Sequence, residues 1–279
     1  LAIFDLNNLF SAVKFYKAAR GKGVKPILGA EVALRGLAAD PATVSRVLLL
    51  AQNEQGYLNL CELLARAWTQ GVTKAQAVAE WDWLAELASG LILLSGAAAG
   101  PVGQYLLAGD DARAAEVALQ LASAFPHRFY LELQRAGRPD DERHVAAAVQ
   151  LAARMKLPVV ATHPVQFVQP EDFEAHEARV CIAEGEILGN PRRPRRFTPD
   201  QYFKSSAEMQ ALFADLPSAL ANCVEIGRRC NLSLTLGQPR LPDFPVPAGH
   251  TIETYFREAS LQGLEERLEH LYPDAAVRE

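Results

Sequence analysis

Short apolar runs that alternate with helical stretches constrain this chain more than any other feature. Residues 47–51 (VLLLA) and 91–94 (LILL) are apolar without interruption. A strand of that kind is buried on both faces, as parallel strands under helices are. Strand candidates fall at residues 1–4, 26–29, 47–51, 91–95, 129–133 and 158–161. Helix candidates fall at 9–20, 54–70, 81–88, 111–124, 140–156 and 171–184. This alternation predicts an α/β fold, and a closed or nearly closed barrel is the simplest architecture for so many units.

The first ten residues, LAIFDLNNLF, put Asp5 where the first strand ends, with Asn7 and Asn8 at the turn into a helix. A carboxylate at the C-terminal end of a barrel strand is a usual place for a metal ligand. No initiator Met and no cap precede that strand, so the expectation is a piece of a longer polypeptide.

A chain of 279 residues is long enough for one barrel-sized domain or two ordinary ones. No apolar run approaches the roughly 20 residues that span a bilayer, so no membrane partner is expected. Four cysteines without a CxxC pair read as reduced thiols of a cytoplasmic protein. The net charge of −5 argues against broad nonspecific binding of nucleic acid by this chain.

The character changes after Gly185. Residues 189–199, GNPRRPRRFTP, are a basic, proline-punctuated loop. Arg192, Arg193, Arg195 and Arg196 are candidates for contact with phosphate or with a partner's acidic surface. The plainer reading, local pairing with Asp and Glu, is favoured. Helices are predicted near 206–215 and 217–230, the first opened by the capping pattern Ser205-Ser206-Ala207-Glu208. Residues 238–250 carry four prolines and read as an extended connector, followed by an amphipathic helix over 251–271 with Tyr255, Leu261, Leu264 and Leu268 on related faces. The expected organisation is a domain over 1–237, the connector, and the start of a further region over 251–279.

Other features carry less. Trp68, Trp81 and Trp83 read as packing residues on or beside helices. Gly21, Gly23 and Gly29 lack the spacing of a dinucleotide fingerprint. Ser95 has no Asp/His pair that would make it a nucleophile.

Several segments, in order, resemble one family. They are LAIFDLNNL, FYKAARGKGVKPILGAEV, LLLAQNEQGYLNLCELL, GLILLSG, FYLELQRAGRPDDE, LPVVATHPVQFVQPEDFEAHE and RPRRFTPDQYFKSSAEMQALFADLPSALANCVEIGRRCN. The family is the PHP (polymerase and histidinol phosphatase) domain of the bacterial replicative DNA polymerase III alpha subunit. The resemblance implies a distorted β/α barrel, with the polymerase regions downstream of Glu279.

Metal-binding members of that family hold up to three divalent ions in a cluster of His, Asp and Glu at the barrel mouth, for phosphoester hydrolysis. Compared with that pattern, Asp5 and Glu31 remain as ligand positions. The His expected after Asp5 is Leu6, the His before residues 47–51 is Arg46, and the His after LELQR is Ala136. In ATHPVQF, the Asp and His of the pattern are replaced by Pro164 and Gln166. His163 stands one residue from the lost Asp, and His176 reads as a helix residue with a structural hydrogen bond. The family's His-x-His strand does not occur in this chain. The resemblance therefore implies no metal and no catalytic residue in this segment. It implies Mg²⁺ for a polymerase site outside it. It also implies partners: an epsilon proofreading exonuclease docked on this domain, other holoenzyme subunits, and primer-template DNA. A surviving metal-dependent phosphoesterase resting on Asp5 and Glu31 is the competing expectation. Arg46, in the first case, is expected beside Asp5 or Glu31.

Overall fold

A computed structural model describes residues 1–38, 40, 42–73, 76–239 and 243–274. It divides into two compact units, Leu1–Leu234 and Thr235–Glu279.

The first unit is built on one curled sheet with the strand order β1-β2-β3-β7-β8-β9. Its long strands are β1 (Ala2–Leu6), β2 (Ile27–Arg35), β3 (Ser45–Ala51), β7 (Leu91–Leu94), β8 (Phe129–Gln134) and β9 (Val159–Thr162). Between β3 and β7 lie the small hairpin β4 (Val72–Thr73) and β5 (Gln76–Ala77), and β6 (Ala79–Glu80), which pairs with β2. The helices are α1 (Ala12–Gly21), α2 (Glu54–Thr69), α3 (Trp81–Glu86), α4 (Pro101–Ala108), α5 (Asp111–Ala124), α6 (Asp141–Met155), α7 (Phe173–Glu184), α8 (Ser206–Leu212) and α9 (Pro217–Arg229). The fold is thus mixed α/β, a distorted and open β/α barrel.

One expectation needs correction. β3 is not parallel to its neighbours but runs antiparallel to both β2 and β7. Only nine residues separate β2 from β3. A parallel crossover needs a dozen or more, so the chain can only turn back. Burial on both faces is the same in either direction, which is why the apolar run does not reveal it.

Alternation along the strands assigns side chains to two layers. Val47, Leu49, Leu91, Leu93, Leu131 and Leu133 pack with the helices in the main core. Leu48, Leu50, Ile92, Leu94, Tyr130 and Val160 fill the concave face together with Ile226 and Cys230 around the end of α9. Each such side chain, fully buried, stabilises the fold by about 1.5–3 kcal/mol. α9 also blunts the outer edge of β9: Asn222 Nδ2 donates to Val159 O at 2.8 Å and Cys223 Sγ to Ala161 O at 2.9 Å. An exposed edge strand would otherwise offer those carbonyls to another chain.

The second unit contains α10 (Ile252–Leu271), opened by a capping box between Thr251 and Thr254. No residue of α10 is buried, and Phe256 is 72% exposed. The amphipathic pattern read from the sequence therefore covers no core here.

Candidate functional site

β1, β2, β7, β8 and β9 point their C-terminal ends to one rim of the sheet, and antiparallel β3 brings its N-terminal end there. Leu6 pairs with Glu31 in register, Glu31 pairs with Leu48, and Arg46 lies two residues before Leu48 on the same face. The ion pair follows from that placement: Arg46 Nη1 reaches Glu31 Oε1 at 3.4 Å. Glu31 is one of the two neighbours the sequence reading expects, Asp5 being the other. The guanidinium is 45% exposed, so the pair contributes little to stability.

Sequence reasoning missed Glu132. It sits in β8, fully buried, two residues before the strand ends at this rim. Its carboxyl accepts from Gly96 N (3.1 Å), from Gln134 Nε2 (3.0 Å) and from Thr162 Oγ1. Burial raises its pKa above the ordinary carboxylate value, the Glu31 charge adds to the rise, and the Thr162, Gln134 and Gly96 donors oppose it. The signal was present in FYLELQ: a charge inside an otherwise apolar strand marks a buried, partnered carboxyl.

The other predicted positions are not brought into a cluster. Asp5 turns away toward α1, where its Oδ2 accepts from Ser11 N at 3.3 Å. Ala136 is buried, its N–H donates to Asp141 Oδ2 (2.6 Å) and its carbonyl accepts from Thr198 Oγ1. Pro164 O accepts from Gln201 Nε2 (2.9 Å), and Gln166 N donates to Gln201 O (2.8 Å). His163 Nε2 meets Asp200 O at 2.7 Å, and burial holds the ring below its ordinary pKa. His176 does lie on a helix, but packing rather than a hydrogen bond holds it: it packs against Phe167 and Phe197, and its buried Nδ1 has no partner.

Among the described residues no three His, Cys, Asp or Glu side chains converge as a metal site would require. The positions that the resemblance singles out are occupied or unsuited in this structure. Leu6 and Ala136 offer no side-chain donor, Asp5 serves a helix start, and the Glu31 charge is met by a guanidinium rather than an ion.

In the basic loop, two of the four arginines pair locally with glutamates, as the favoured reading expects. Arg193 is buried and paired with Glu177 at 2.5 Å, so it cannot serve as an outward phosphate contact. Arg196 pairs with Glu184 at 3.3 Å. Arg192 and Arg195 remain exposed.

Residues 1–136 match the PHP domain family. The distorted, open barrel is the architecture that this match leads one to expect. Along 98% of its length the chain is 51% identical to DNA polymerase III subunit alpha of Pseudomonas aeruginosa. Along its full length it is 47% identical to the subunit of that name in Escherichia coli K12 and 49% identical to that of Neisseria meningitidis. It spans about a quarter of each relative (23%, 24% and 24%). The chain is therefore a homologue of the PHP region of DNA polymerase III alpha subunits. No helix among the described residues is long and apolar enough to cross a membrane.

Proposed function

We propose that this chain is the PHP region of a replicative DNA polymerase III alpha subunit, in which the barrel is a metal-free scaffold and docking platform. The whole polypeptide carries out DNA-templated DNA synthesis in the cytoplasm with Mg²⁺ held outside this segment. The proofreading epsilon exonuclease docks on this domain, and the other holoenzyme subunits and primer-template DNA are met through the full chain. The observation that carries the scaffold reading is the Arg46–Glu31 pair at the rim. A guanidinium there supplies the positive charge that a metal would otherwise bring, and it cannot activate water.

Elemental analysis of the full-length protein, purified without chelator, tests it together with a 3′-end hydrolysis assay. The expected result is well under one equivalent of Zn, Mn or Fe bound by this domain and no hydrolysis by it. Metal-dependent release of nucleotides that disappears in both Asp5→Ala and Glu31→Ala would sink the scaffold reading in favour of a phosphoesterase. Primer extension by the full chain tests the polymerase reading separately.

A further inference from the structure

The edge of the sheet opposite the rim gathers cations that the sequence keeps far apart. Lys25 stands before β2, Arg128 before β8 and Lys156 before β9, and these three strands run in the same direction. Lys22 caps α1 just ahead of β2. Arg229 ends α9, whose Gly227 carbonyl accepts from Lys25 Nζ at 2.7 Å.

Three of these cations, Lys25, Arg128 and Arg229, are held by neutral groups. Lys25 Nζ also donates to Asn231 Oδ1 (2.8 Å). Arg128 donates to Leu91 O (2.7 Å) and to Ala88 O, and its guanidinium lies over the Phe125 ring at 5.4 Å. Arg229 donates to the Tyr130 hydroxyl at 2.7 Å. Among the described residues none of the three has a carboxylate within 4.0 Å. Burial first, and then the neighbouring Arg229 charge, lower the Arg128 pKa from its ordinary value. The nearby acids include Glu225 and Asp111, which lie near other cations, Arg228 (4.0 Å) and Arg154 (3.9 Å), and Glu54 in the first turn of α2.

We infer that this edge is a phosphate-binding surface that takes the sugar–phosphate backbone of DNA. Two neighbouring half-buried guanidiniums without a counter-charge repel each other, and an anion with several acceptor oxygens relieves that. From β2 to β9 is four strand spacings, about 20 Å, so the cations form a row rather than a point. A row suits a polymer with regularly repeated phosphates. The surface lies away from the rim, and it stands out against a chain of net charge −5. The choice of DNA rests on the polymerase reading; the oxyanion surface does not.

The test is fluorescence anisotropy of this chain with a labelled oligothymidylate of about 20 nucleotides, across a salt series and without nucleotides or synthesis. Arg128→Gln with Arg229→Gln is expected to weaken binding about tenfold or more and to flatten the log–log salt slope by about 1.4, two contacts at 0.7 each. If that variant is misfolded by circular dichroism, Lys22→Glu with Lys156→Asn decides, since both side chains are exposed and Asn tolerates the left-handed backbone of Lys156. Unchanged affinity and slope in the folded variants overturns the inference. So does a loss confined to Arg192→Gln, Arg195→Gln and Arg196→Gln. Polyglutamate that competes as well as unlabelled oligonucleotide overturns DNA in favour of an acidic polypeptide. Failure here leaves the primer-extension test of the polymerase reading standing, and the reverse also holds.

Discussion

Glu132 and His144 are both buried and titratable, and they make stability respond to pH in opposite directions. Burial raises the Glu132 pKa above the 4.5 of a free carboxyl. A carboxyl raised on folding stabilises the fold fully below its unfolded value and loses that contribution as pH rises through the folded one. Thermal melts from about pH 4 to about pH 8 are therefore expected to show the wild type losing ground against Glu132→Gln as pH rises. A constant difference between the two proteins would refute this. His144, 2% exposed on α6, is pushed down by burial from 6.5 to about 4. It stays neutral in the fold, so its contribution is present above 6.5 and is lost as pH falls toward about 4. A shift of that size corresponds to roughly 3 kcal/mol. His144→Leu should remove much of the acid sensitivity seen in urea melts. An unchanged acid limb would mean that other groups govern it. At this scale the sequence was a partial guide. It placed Arg46 beside Asp5 or Glu31, and the register of β2 and β3 decides for Glu31. It did not reveal that Asp5 turns toward α1, or that Arg193 is buried against Glu177, since each depends on how a loop or helix folds back.

Among the elements, Arg135 ties together pieces that are distant in sequence. It follows β8, and its side chain is 14% exposed. It donates to Glu142 at the start of α6 (2.9 Å), to Asp215 after α8 (2.6 Å) and to Leu212 O (2.7 Å), and it lies over the Phe213 ring at 5.1 Å. These bonds dock α8 onto the rim. Arg135→Ala is expected to cost about 2–3 kcal/mol, since bonds to charged groups are worth roughly 1.5–3 each and exposed partners regain water. Arg135→Lys should restore less than half, because an ammonium cannot make two forked pairs at once. Equilibrium urea unfolding checks both, and a full rescue by Lys would show that charge alone matters. Most helices were legible from their apolar period and caps. α4 was missed although Pro101 opens it and Gly109, at φ 78°, closes it. Its eight residues give too few turns for a period to register. β2 runs on through Glu31 to Arg35, past the predicted end at residue 29, because Val32, Ala33 and Leu34 continue the buried run beyond the charge.

For the whole molecule, the question is which residues unfold together. Leu1–Leu234 holds the buried clusters, whereas α10 buries no side chain and leaves Ile252, Phe256, Leu261 and Leu264 exposed. Most helical stability in proteins comes from packing an apolar face, which α10 lacks, and its capping box contributes only about 1 kcal/mol. The cooperative transition should then belong to the first unit alone. A chain ending at Leu234 is expected to melt within about 1 °C of the full chain, while its far-UV circular dichroism loses the α10 contribution. In a unit of this size each kcal/mol moves the midpoint by about 2–4 °C, so even a modest stabilising contact from α10 would be visible. Amide hydrogen exchange offers an independent reading. Protons of α10 should exchange far faster than those of β7, whose four residues are all buried. A truncated chain that melts several degrees lower, with α10 amides protected in the longer one, would show that the apolar residues of this helix are covered in solution.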